Sequence, residues 1–446
     1  MGSVENSQFG EPKDHEGYEH AIGEQRDIIN GIDAWLIPLL RQRAEAAQAI
    51  GLIKAKHGMP IFVGAREQQV IDRACEANGK DSPLPDGDVA NFMRGVMKTS
   101  RAAQQASVDV DSDNRVITGF RPTSNLTIGN YLGAVRPSLE LQDDPDKELY
   151  IFVADLHGLT DSDPRDIAEY RHAVAHDLIA LGIDPQRSTL YMQSDIEDSV
   201  VEIANRVGPH INVGTLSNTP SIKDKVKEAV RKGTIDHEDI GSANFALLGY
   251  PVLMAADIYA QHANSVPVGN DQDAHLELAR QMARRFNRRF DKDILVEPRN
   301  LVLDSLRILS LDGEGKMSKS NPDQAIILTE DPEHSSQKIK GATTANSGEW
   351  NDTLTSHFLV AESTAKTEEE KHALAEIKAA HKAGKPVMRQ FKQVWGTINS
   401  NFLEEFQTAK AAIHEADTIS ALRYGADRAE RNARVTLSNM KEAMGF

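Results

Sequence analysis

Seven polar or charged side chains stand on otherwise apolar helical sequence early in the chain: Arg26, Arg43, Lys54, Arg66, Glu67, Ser100 and Gln104. Cations spaced in this way suit a small ligand that carries more than one negative charge. Arg43 and Lys54 lie close to three helical turns apart, so they share one face at about 16 Å. Ser100 and Gln104 also share a face. Arg26 precedes Arg43 by about 25 Å along the same helix, too far for one metabolite to touch both. If both serve one ligand, a second copy of the helix must deliver Arg26, so the pattern predicts a dimer.

A second set of residues points to phosphate chemistry. Thr127-Ile128-Gly129-Asn130 follows the apolar run RVITGF. A glycine at the opening of a helix lets a nucleotide approach the backbone, whose free amides suit phosphate. Lys316-Met317-Ser318-Lys319-Ser320 places two lysines on a loop, where they can neutralise charge on a departing anion. Asp257 closes the apolar stretch YPVLMAAD, and His157 follows the strand-like run ELYIFVAD.

The elements that must hold these residues change character along the chain. Residues 1–20 are expected to be a structureless tail. From 21 to 107 the pattern is helical, with Ile28, Ile29, Ile32, Leu36, Leu39 and Leu40 at three- and four-residue steps. Gly58-Met59-Pro60 ends the first helix, and two more are expected near 65–77 and 88–107. Residues 108–114 read as a linker. From 115 to 323, RVITGF, ELYIFVAD and STLYMQS read as buried strands alternating with helices, which implies a parallel sheet covered on both faces. Residues 324–446 are helical again, with loops at TTANSGEWND and AGKP. The expected fold is multidomain: an all-α domain, a Rossmann-like α/β domain and a C-terminal α-helical domain.

Composition bounds the function. An apolar fraction of 40% and a charged fraction of 26% are those of a globular protein. The single cysteine, Cys75, has no internal disulfide partner. No apolar run approaches the roughly 20 residues that span a bilayer, so the expectation is a cytoplasmic protein without a membrane partner. The net charge of −17 confines any nucleic-acid contact to local patches. One such patch is Arg280, Arg284, Arg285, Arg288 and Arg289, which read equally well as a solvated helix face.

The segment from about 25 to 105 resembles the all-helical chorismate mutases. The resemblance rests on Arg26, Asp33, Arg43, the G-x-x-K ending at Lys54, Pro60, Arg66-Glu67 and Ser100-x-x-x-Gln104, all in order. It implies a cofactor-free rearrangement of chorismate to prephenate, helped by holding the dicarboxylate in its reactive shape. Arg26 and Arg43 would clamp carboxylates, Lys54 and Gln104 would donate to the ether oxygen, Glu67 would accept the ring hydroxyl and Ser100 would assist at a carboxylate. Arg66 belongs to the same set. The segment departs from the family at Val63 and at Pro38, which falls mid-helix.

The two phosphate signatures, about 185 residues apart, are those of class I aminoacyl-tRNA synthetases, and residues 115 to about 323 resemble the tryptophanyl members. ADLHGLTD, GYPVLMAADI, VPVGNDQDAHLELAR and LRILSLDGEGKMSKSNP carry the likeness. It implies that Asp257 meets the indole N–H, that Met254, Val266 and Val268 line the ring slot, and that Tyr250, Gln272 and His157 address the amino acid's polar end or the pocket rim. ATP, accompanied by Mg2+, would rest on Arg121, Pro122, Thr123, Thr127, Gly129, Asn130, Gly269, Asn270, Asp271, Ile308, Lys316, Met317, Ser318, Lys319 and Ser320. Lys316 and Lys319 would be the catalytic pair. L-tryptophan and tRNA(Trp) are the implied partners, within a homodimer or a higher homo-oligomer. Residues 330–430 match that family poorly.

Three readings therefore stand. The chain joins a chorismate mutase to a tryptophan–tRNA ligase; or its first domain is a non-catalytic dimerisation or sensing module; or its synthetase half activates tryptophan for specialised metabolism without charging tRNA.

Overall fold

The structure is a computed structural model that describes residues 15–56, 64–105, 114–122, 125–160, 162–231, 245–269, 273–301, 308–319 and 321–446. These form two compact units, divided between Val110 and Asp111.

The first unit is three helices: α1 (His15–Lys56), α2 (Gly64–Asn78) and α3 (Asp86–Gln105). Its helical character is as expected, but α1 starts at His15, so the segment 15–20 assigned to a structureless tail is helical. The helix runs about 63 Å and passes through Pro38 without ending. α2 gives way to Gly79 in the left-handed conformation, φ 75°, a common way to stop a helix. Asp86 and Asp88 open α3, where carboxylates meet the positive end of the helix dipole.

Among the described residues the buried apolar set of this unit is small, with Ala47 of α1 buried as well. Ile71, Ala90 and Met97 form its centre, with Val70, Cys75 and Met93 packed around them. Ile28, Ile29, Ile32, Trp35 and Leu39 of α1 are instead more than half exposed, Trp35 at 76%. The apolar periodicity read as one buried face is real, yet within one chain that face is uncovered.

The second unit follows the expected alternation. In chain order it contains β1 (Arg115–Phe120), α4 (Ile128–Asn130), α5 (Arg136–Asp143), β2 (Glu148–Val153), α6 (Asp155–Gly158), α7 (Pro164–Ala180), β3 (Thr189–Met192) and α8 (Glu197–Val207). Then come α9 (Val213–Ser217), α10 (Pro220–Arg231), α11 (Phe245–Ala260), β4 (Ser265–Val266), α12 (Asp273–Phe290) and β5 (Arg299–Asn300). The remainder is helical, as expected: α13 (Pro332–Gly341), α14 (Asp352–Thr364), α15 (Glu368–Lys382), α16 (Met388–Ala412) and α17 (Glu415–Met444).

All four strand pairings are parallel, in the order β3-β2-β1-β4-β5. The side chains alternate as a doubly covered sheet requires. Val116, Phe120, Leu149, Ile151 and Val153 enter the core on one face. Ile117, Tyr150, Phe152 and Tyr191 enter the core on the other. β1 lies between β2 and β4, so the chain leaves neighbouring strands in opposite directions there, which opens a crevice at their carboxyl ends.

The helices after 323 are continuous in packing with the sheet. Phe358, Phe391 and Trp395 join the first core, while Ala429, Ala433 and Met440 of α17 join the second. α17 is also tied to the strands by polar contacts. Arg428 pairs with Glu148, Asn432 donates to Tyr150 Oη at 2.8 Å, and Thr436 donates to the Tyr259 carbonyl at 3.0 Å. The approach is closest at Gly425, where an added Cβ would lie 1.9 Å from the Leu190 carbonyl oxygen of β3. Gly425→Ala is therefore expected to destabilise the second unit by about 3 kcal/mol, the upper end for overpacking, because the obstacle is backbone. Denaturant unfolding followed at this unit checks the value.

Candidate active site

A cavity of about 370 Å³ lies in the crevice at the ends of β1, β2 and β4. It brings together His157, Tyr250, Met254, Asp257, Val266 and Val268 from the expected amino-acid set, and Arg121 from the expected nucleotide set. Ile117, Phe152 and Pro267 complete its apolar wall. Gln272 lies outside the described residues.

Asp257 is the chemical centre of this cavity. It sits near the end of α11, 2% exposed. A carboxylate so far from water needs donors, and two side chains supply them. Gln193 Nε2 lies 2.9 Å and 2.8 Å from the two carboxylate oxygens. His157 Nε2 is 2.9 Å from Oδ2. Burial pushes the carboxyl pKa up, and the hydrogen bonds and charge of His157 and Gln193 only partly oppose it. His157 thus serves the carboxylate end of the cavity.

Gln193 was absent from the expected set. It directly follows the buried strand TLYM and is itself fully buried. A polar residue at that point, where the chain passes the mouth of a parallel sheet, was the available signal. Its Oε1 also accepts the His157 backbone N–H at 3.2 Å, so one amide orients both partners. Next to it, Asp155 takes the Ser194 backbone N–H at 3.0 Å and the Ser194 hydroxyl at 2.5 Å, which ties the exits of β2 and β3 together. Tyr250, in the lining of the cavity, meets His275 through its Oη at 2.5 Å.

The two phosphate signatures touch. A Cβ on Gly129 would lie 3.5 Å from Met317 Cβ and 3.8 Å from Ile308 Cβ. Ile128 N–H donates to Ile326 at 2.9 Å, and Leu328 N–H donates to Leu126 at 2.9 Å. The short helix α4 is closed by a capping box in which Thr127 and Asn130 satisfy each other's backbone amides. Those two side chains hold the turn; Pro122 is buried. Gly269 borders a smaller cavity with Thr118 and Gly133. Thr123, Asn270, Asp271 and Ser320 lie outside the described residues.

The lysines differ. Lys316 and Ser318 are exposed, while Lys319 is partly buried. Burial and the neighbouring Arg121 cation hold Lys319 down at about 8, with Asp177 acting the other way.

In the first unit, Arg43 and Ser100 meet: the Arg43 guanidinium donates to Ser100 Oγ and, at 3.3 Å, to the Val96 carbonyl. Arg26 is exposed, far along α1. Arg66 is exposed and reaches Gln69 at 3.4 Å. Lys54, Glu67 and Gln104 lie on helices, but their side chains, like Val63, are outside the described residues.

The arginine cluster of α12 is largely occupied. Arg280 and Arg284 pair with Glu277, and Arg284 also with Glu297. Arg285 donates to the His210 carbonyl at 3.0 Å.

Comparison with known proteins agrees with this geometry. The family profile described as tRNA synthetases class I (W and Y) matches residues 110–403, and that described as chorismate mutase type II matches residues 25–105. The tryptophan–tRNA ligase of Treponema pallidum is 33% identical over 347 residues, 74% of this chain and 97% of that protein. This match runs nearly the length of that protein, so it takes in distal helices where little resemblance was expected. Tryptophanyl-tRNA synthetase from Mycoplasma pneumoniae superposes with a TM-score of 0.63 at 28% identity, covering 75% of this chain and 98% of that one. The enzyme from Campylobacter jejuni, solved with ADP and tryptophan, gives 0.63 at 27% identity over 74% and 100%.

Lys319 predicts a pH dependence. Its cation is present below about pH 8 and lost above it, so affinity for a triphosphate falls as pH rises. The KM for ATP in pyrophosphate exchange is expected to rise roughly tenfold between about pH 7 and about pH 9. In Lys319→Arg, whose charge does not titrate there, that step should vanish.

Proposed function

The chain belongs to the class I tRNA synthetases of the tryptophan and tyrosine type, with a chorismate mutase domain at residues 25–105, and from this we propose that it is bifunctional, activating L-tryptophan with ATP for transfer to tRNA(Trp) and rearranging chorismate to prephenate. The observation that carries the first activity is the buried Asp257 carboxylate in the lining of a cavity whose walls are largely apolar. An indole N–H is a donor with no other use in such a slot, and a side chain lacking that donor would leave the carboxylate short of a partner. A phenol hydroxyl could also donate, but the apolar walls of Met254, Val266 and Val268 favour the larger ring.

In this reading Asp257 fixes the indole, with His157 and Gln193 holding the carboxylate in place. Arg121, which lines the cavity beside Lys319, lies where the amino acid's carboxylate meets the α-phosphate. Attack by that carboxylate forms the adenylate and expels pyrophosphate. Lys316 and Lys319 neutralise the charge that gathers on the leaving group. Magnesium enters as part of the MgATP substrate; among the described residues no cluster of three His, Cys, Asp or Glu side chains could ligate an ion alone. A ribose hydroxyl of the tRNA end then attacks the acyl carbon of the adenylate, forming the ester and releasing AMP. The near full-length match to the Treponema pallidum ligase supports transfer to tRNA over adenylation alone.

For the mutase, Arg43 beside Ser100 supplies half of a carboxylate clamp. Arg26, about 25 Å away along α1, supplies the other half only from a second copy. The uncovered apolar residues of α1 and the small core of this unit support a homodimer built through that helix.

Pyrophosphate exchange run across the aromatic amino acids, with tRNA charging in parallel, tests the first activity. Exchange specific to tryptophan is expected, and Asp257→Ala should lower kcat/KM for tryptophan about a hundredfold, the value of a hydrogen bond to a buried charge. Prephenate formation tests the second. Arg43→Ala should reduce it at least ~100-fold, and Ile32→Glu should reduce it through loss of the helix pair while tryptophan-dependent exchange persists. A protein that neither releases pyrophosphate nor consumes chorismate would overturn the proposal.

A further inference from the structure

The loop that carries the two lysines is held by a helix from the distal part of its own unit. The root of the loop is a narrow antiparallel turn. Leu309 bridges Lys316, Met317 N–H donates to the Ile308 carbonyl at 2.9 Å, and Ser310 N–H donates to the Gly315 carbonyl at 2.9 Å. Between these pairs the chain reverses through Gly313 and Gly315, at φ 82° and 111°.

Three residues of α14 touch this turn. Ser356 Oγ accepts the Leu309 backbone N–H at 2.8 Å. His357 Nε2 lies 3.3 Å from the Ser310 carbonyl and donates to it. A Cβ on Gly313 would lie 2.3 Å from Thr353 Oγ1, so the turn presses on that side chain with no room for a larger residue. Thr353, Ser356 and His357 stand at i, i+3 and i+4, one face of the helix.

The face is rigid. Ser356 is 4% exposed and His357 is fully buried. The imidazole packs on Trp395 of α16 with ring centroids 4.9 Å apart. Burial holds His357 down at about 4, so near neutral pH it is an uncharged ring with one N–H to give. Ile308, Leu311 and Met317 share a core with Leu354 and Phe358 of the same helix.

We propose that the Thr353–Ser356–His357 face of α14 is a positioning element for adenylate formation, setting the height and angle at which Lys316 and Lys319 meet the phosphates. None of the three touches substrate; they act through the backbone of Leu309, Ser310 and Gly313. The placement of the distal helices is thereby written into the phosphate site. This rests on the reading of Lys316 and Lys319 as the phosphate-binding pair.

The test uses the full chain. Ser356→Ala removes the acceptor for Leu309, and Ser356→Thr keeps it. His357→Leu removes the donor, and His357→Gln keeps one. Pyrophosphate exchange gives kcat and KM for ATP, and equilibrium dialysis gives tryptophan affinity. Ser356→Ala and His357→Leu are expected to lose about tenfold in kcat/KM for ATP while binding tryptophan as the parent does. The Thr and Gln variants should recover most of that loss. A purely structural role would instead lower tryptophan binding and thermal midpoint together, with no recovery by the conservative variants, and that result overturns the proposal. So would variants with parental ATP kinetics. A parent without exchange would overturn the reading of the site itself, and the anchor with it.

Discussion

A carboxylate taken out of water must be furnished with donors from the protein, and in this molecule that demand converges on Asp257. Its two partners come from separate segments: His157 from the exit of β2 and Gln193 from the exit of β3. The acid itself arrives on α11. Three stretches of chain must therefore end at one point to within a few tenths of an ångström. The parallel sheet meets that demand, because its strands all deliver their carboxyl ends to one edge. The secondary contacts serve the same end. Gln193 orients His157 through its backbone, and Asp155 locks the neighbouring turn to Ser194. An apolar wall then makes the remaining capacity of the carboxylate selective.

The two units, in the proposed reading, would meet the problem of an anionic ligand in different ways. In the second, burial and the neighbouring Arg121 cation hold Lys319 low, and in the proposed reading an arriving polyphosphate would offset that repulsion. In the first, the cations are strung along one long helix. Arg43 is supported by Ser100, while Arg26 stands apart and exposed. In the proposed dimer such a helix would carry half-sites, and the apolar stripe beside them supports that proposal more directly than the cations do.

Much of this was legible in the sequence because the informative patterns are local. A glycine before a helix, a lysine pair on a loop and an acid closing an apolar run can each be seen within a dozen residues. The three helices of the first unit, the three longer strands and the helical end of the chain lie where periodicity and turn residues put them. What escaped depended on contacts between distant segments. Gln193 is an unremarked glutamine until β3 is laid beside β2. α17 reads as a distal helix, yet Gly425 presses against β3, and Arg428 completes the charge balance of Glu148. There burial would raise the carboxyl pKa, but Arg428 and Arg115 outweigh it and hold it low. The arginine cluster of α12 read as either a nucleic-acid patch or a solvated face. Several of its members prove to be internal fasteners to Glu277, Glu297 and the His210 carbonyl.

The union of Glu148 with Arg428 joins residues 280 positions apart in sequence. A growing polypeptide can shape β1, β2 and β3 early, but their flank stays bare until α17 has been translated. Contacts of such long span make assembly slow and leave strand surface exposed meanwhile. The vulnerable stretch of synthesis is therefore the interval between β3 and α17, while the flank that α17 covers is still open.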